Sequence, residues 1–78
     1  MDTMTPEERA ATEAFHADLL EQFKANATAM WKAREAGEET QYAETFEETR
    51  RLYREIREVE VVLATGILPR DIQEATAA

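Results

Sequence analysis

Cysteine and serine are both absent from this chain of 78 residues, and glycine and proline occur only twice each. Without cysteine, neither a disulfide framework nor a thiolate zinc site can hold so small a domain together, and no redox compartment is indicated. Without serine the commonest hydroxyl nucleophile is missing. No apolar run approaches the ~20 residues that a membrane-spanning helix needs. The N-terminus, MDTMTPEERAA, has neither the basic nor the apolar region of a secretory leader. The expectation is therefore a cytoplasmic protein with no membrane partner. Positive charge is scarce as well: 9 Lys and Arg stand against 17 Asp and Glu, for a net charge of −8. Proteins that bind nucleic acid unaided gain most of their affinity by neutralising phosphates with Lys and Arg, so direct nucleic-acid binding is not expected.

What remains is rich in helix formers. Thr5-Pro6-Glu7-Glu8 has the form of a capping box: Thr5 can accept from a first-turn amide, Glu8 can reach back, and Pro6 suits the first helical position. From there to Gly37 no glycine or proline interrupts, and Ala, Glu, Leu, Lys and Arg dominate, which predicts a first helix over about 6–36. A short bridge, 38–40, leads into a second uninterrupted stretch over about 41–65, closed by Gly66. So short a connection makes the two helices antiparallel. Beyond Gly66, Pro69 can open a short third helix over about 69–75, folded back onto the hairpin through Ile67, Leu68 and Ile72. The fold class is all-α, one domain over 1–78.

Helical phase places the apolar residues. Helix 1 gathers Phe15, Leu19, Leu20, Phe23, Ala27, Met30 and Trp31 on one arc. Helix 2 gathers Tyr42, Phe46, Leu52, Tyr53, Ile56, Val59 and Leu63, flanked by Arg50, Arg54 and Arg57 on one side and Glu44, Glu48 and Glu55 on the other. Two helices cover only part of each other's arcs, and Val61 and Val62 lie outside the arc of helix 2, so something packs there from a second side. A chain this short gains only a few kcal/mol from its own core. The expectation is a homodimeric helical bundle built from two hairpins, with Val59, Val61, Val62, Leu63, Ile67, Leu68, Trp31, Tyr42 and Phe46 as interface residues. Met30, Trp31, Tyr42 and Phe46 should gather near the turn with Arg34 over a ring, either as an inward plug of the bundle or as a docking patch for a partner.

One polar grouping falls within the apolar seam. The stretch TEAFHADLL, residues 12–20, holds the only histidine, with Glu13 three residues before His16. A hairpin pivoting near Glu38 brings His16 opposite Val61, within about one turn of Glu60, the one acid inside the arc of helix 2. Glu13, His16 and Glu60 together resemble the half-site of di-iron carboxylate bundles, in which one helix gives Glu and another Glu-x-x-His. The resemblance covers three residues and not the chain. In a dimer it implies iron or manganese held by four carboxylates and two imidazoles. The competing reading is a polar pin that sets register at an interface.

No phosphate-binding loop, nucleophile-and-base spacing or substrate pocket is evident, so no enzymatic activity, catalytic residue or resident cofactor is expected. The function expected is that of a small protein-protein interaction or regulatory protein acting through apolar helix faces. An alternative is an acidic inhibitor of the phage type, occupying a basic site on a host nucleic-acid-binding protein.

Overall fold

The computed structural model describes residues 4–68. Two helices, α1 (Pro6–Ala36) and α2 (Glu39–Thr65), make an antiparallel hairpin with no strand among the described residues. The proposed third helix over 69–75 lies outside those residues.

The start of α1 follows from its first four residues. The Glu8 amide donates to Thr5 Oγ1 at 3.1 Å, and the Thr5 amide donates to Glu8 Oε1 at 3.2 Å, which satisfies two otherwise orphaned donors reciprocally. Its end is set by Gly37, whose φ of 73° lies in the left-handed region. There the Gly37 amide donates to the Arg34 carbonyl at 3.2 Å and the Glu38 amide to the Ala33 carbonyl at 2.9 Å, the pair of bonds that defines a Schellman turn. The Tyr42 amide already donates to the Glu38 carbonyl at 2.9 Å. The helix therefore resumes at Glu39, two residues earlier than its sequence suggests, because the Schellman turn completes the reversal within Gly37 and Glu38.

Nothing lies within 4 Å of the position that a Cβ on Gly37 would occupy, so only the backbone conformation opposes substitution. Gly37→Ala is expected to lower the unfolding free energy by about 1 kcal/mol, and Gly37→Asn by less, since Asn tolerates this conformation better. Equal melting temperatures for all three chains would show that the turn is not held in the left-handed region.

The core is narrow. Leu19 of α1 packs with Leu52 and Ile56 of α2, and Leu20, Phe23 and Val59 close around them. Met30 and Ala33 are buried nearer the turn, where the small side chain of Ala33 suits the tight connection. Antiparallel register sets Phe23 beside Tyr53, ring centroids 6.3 Å apart, and His16 beside Glu60. At the open end, Arg9 Nη1 donates to the Leu63 carbonyl at 3.2 Å. This carbonyl is one of the last four of α2, which have no partner in their own helix, and no basic residue of α2 itself stands in its last turn. A cation from α1 thus serves the negative end of α2.

Candidate functional site

Two features of the hairpin could carry function, and both lie on its broad side. The first is the polar pair. His16 Nε2 donates to Glu60 Oε2 at 3.3 Å, and Glu60 Oε1 accepts from Arg57 Nη1, also at 3.3 Å. The His16 side chain is 22% exposed and that of Glu60 42%, so the pair sits at the edge of the seam and not in its centre. His16 meets Glu60 itself, one residue from the Val61 expected opposite it, because the turn is shorter than its sequence suggests. Glu13 is exposed, one turn before His16 and rotated toward solvent. Among the described residues of a single chain, no group of three His, Cys, Asp or Glu side chains could hold a metal ion. Glu13, His16 and Glu60 thus make a two-residue pair plus one outlying carboxylate within one chain, not a three-ligand half-site. The chemistry of the pair alone is a hydrogen bond that aligns the two helices.

The second feature is an uncovered apolar side. Trp31 is 51% exposed, Phe46 40%, Tyr53 56% and Val61 57%. Phe23, Met30, Phe46 and Tyr53 line an open groove of about 460 Å³, bordered by Arg50, Arg54 and Arg57. Tyr42 and Phe46 stand 6.0 Å apart, and the Arg34 guanidinium lies 5.3 Å from the Trp31 ring. The expected gathering near the turn is therefore present in part. As an inward plug it fails within one chain: of Met30, Trp31, Tyr42 and Phe46 only Met30 is buried, and Trp31 and Phe46 are exposed. Each helix can turn only one arc toward the other, and Leu19, Leu52 and Ile56 occupy it. Of the residues at the far end, Val59, Val62, Leu63, Ile67 and Leu68 are half-buried while Val61 is exposed.

The flanks are charged, and mostly self-paired. Arg50 lies 3.6 Å from Glu47, while its guanidinium sits 6.0 Å from the Phe46 ring. Helical phase alone does not single out Arg51, yet it bonds two carboxylates at once. It forms a forked pair with Glu48, through Nε at 3.0 Å and through Nη2, and donates from Nη1 to Glu55 at 2.6 Å. Its i−3 and i+4 spacings to two acids were the available signal. The hydrogen bond from Arg51 holds the Glu48 carboxyl below the usual glutamate range against a small opposing effect of desolvation, and the charge of Arg51 adds to the lowering.

A carboxyl depressed in the folded state stabilises the fold above its ordinary pKa, and that stabilisation is lost as pH falls through the lowered value. Wild-type helicity is therefore expected to fall more steeply on acidification than that of Glu48→Gln. Superimposable acid titrations by circular dichroism would show that the Arg51 fork does not form in solution.

No helix among the described residues is long and apolar enough to cross a membrane. The chain matches no family model, and no significant match to a curated protein or to a solved structure was found.

Proposed function

We propose that this protein is a small non-enzymatic interaction or regulatory protein, acting by burial of its apolar helix faces in a homo-oligomeric helical bundle, most simply a dimer. One observation carries the reading: among the described residues, a single hairpin buries only Leu19, Met30, Ala33, Leu52 and Ile56 as its apolar core, while Trp31, Phe46, Tyr53 and Val61 stay about half exposed along its length. A core this small leaves the chain with little stability of its own, and burying the uncovered side adds to it. The charged exterior then selects among partners, with acidic outer faces that favour a basic one.

Association makes stability depend on concentration. The melting temperature is expected to rise by several degrees between about 1 and 100 μM protein, and light scattering should return twice the chain mass. A concentration-independent melt of a folded monomer would refute self-association. Salt-sensitive capture of a basic protein by the folded oligomer would favour the acidic-inhibitor reading.

A further inference from the structure

We draw no further inference here: the strongest candidate, the open apolar groove between α1 and α2 lined by Phe23, Met30, Phe46 and Tyr53, carries nothing because nothing in the structure shows what covers it.

Discussion

Leu52→Ala is expected to leave the chain largely unfolded at micromolar concentration and room temperature. Leu52 is 1% exposed and touches both ends of the small cluster with Leu19 and Ile56. Truncation removes the transfer energy of the lost carbons and leaves a cavity that two rigid helices close only in part, a combined cost of about 3 kcal/mol. A domain of this size has only a few kcal/mol in hand. Loss of that much converts a folded population into an unfolded one, and it is read directly as collapse of the helical circular dichroism signal. Leu52→Ile, which keeps the volume, should stay folded and cost less than about 1.5 kcal/mol. If Leu52→Ala melts within a degree or two of the parent, the seam between α1 and α2 is not what holds the hairpin.

That core was legible in the sequence, because Leu19, Leu52 and Ile56 fall on the arcs that helical phase turns inward. The helix ends were legible for a different reason. Thr5, Pro6, Glu8 and Gly37 act within one turn of themselves, so their backbone bonds need no knowledge of the rest of the fold. What phase could not give is how far each arc is covered. Trp31 and Phe46 lie within the apolar arcs, but a pair of helices shares a single line of contact, and residues roughly 100° from it are left at the edge. The Arg9 bond to the Leu63 carbonyl was hidden for a related reason, since it joins positions 54 apart in the chain and exists only in the register that the two-residue turn imposes. That same register decided the fate of Glu13, His16 and Glu60. A turn one residue longer would have left Glu60 off the level of His16; the turn observed joins those two and leaves Glu13 outside.

The His16–Glu60 pair leads to the second large effect, one of opposite sign. Replacing both residues together, His16→Leu with Glu60→Leu, is expected to stabilise the protein by about 1–2 kcal/mol, because paired polar groups in an apolar seam recover little more than their desolvation cost and well-packed aliphatic side chains recover more. The partial exposure of both groups keeps the figure at the lower end of that range. Glu60→Leu alone should gain less, since it leaves the imidazole without its acceptor and Arg57 without its carboxylate. On this expectation the pair contributes specificity at the expense of stability. In an all-aliphatic seam, a slip of one helical turn between α1 and α2 loses little, whereas a polar pair in the wrong register strands both groups. The double variant should accordingly melt at a higher temperature yet less cooperatively, with broadened amide resonances for α2. A double variant that is less stable than the parent would show that the pair is a net contributor to the fold, and that its hydrogen bond outweighs the burial it displaces.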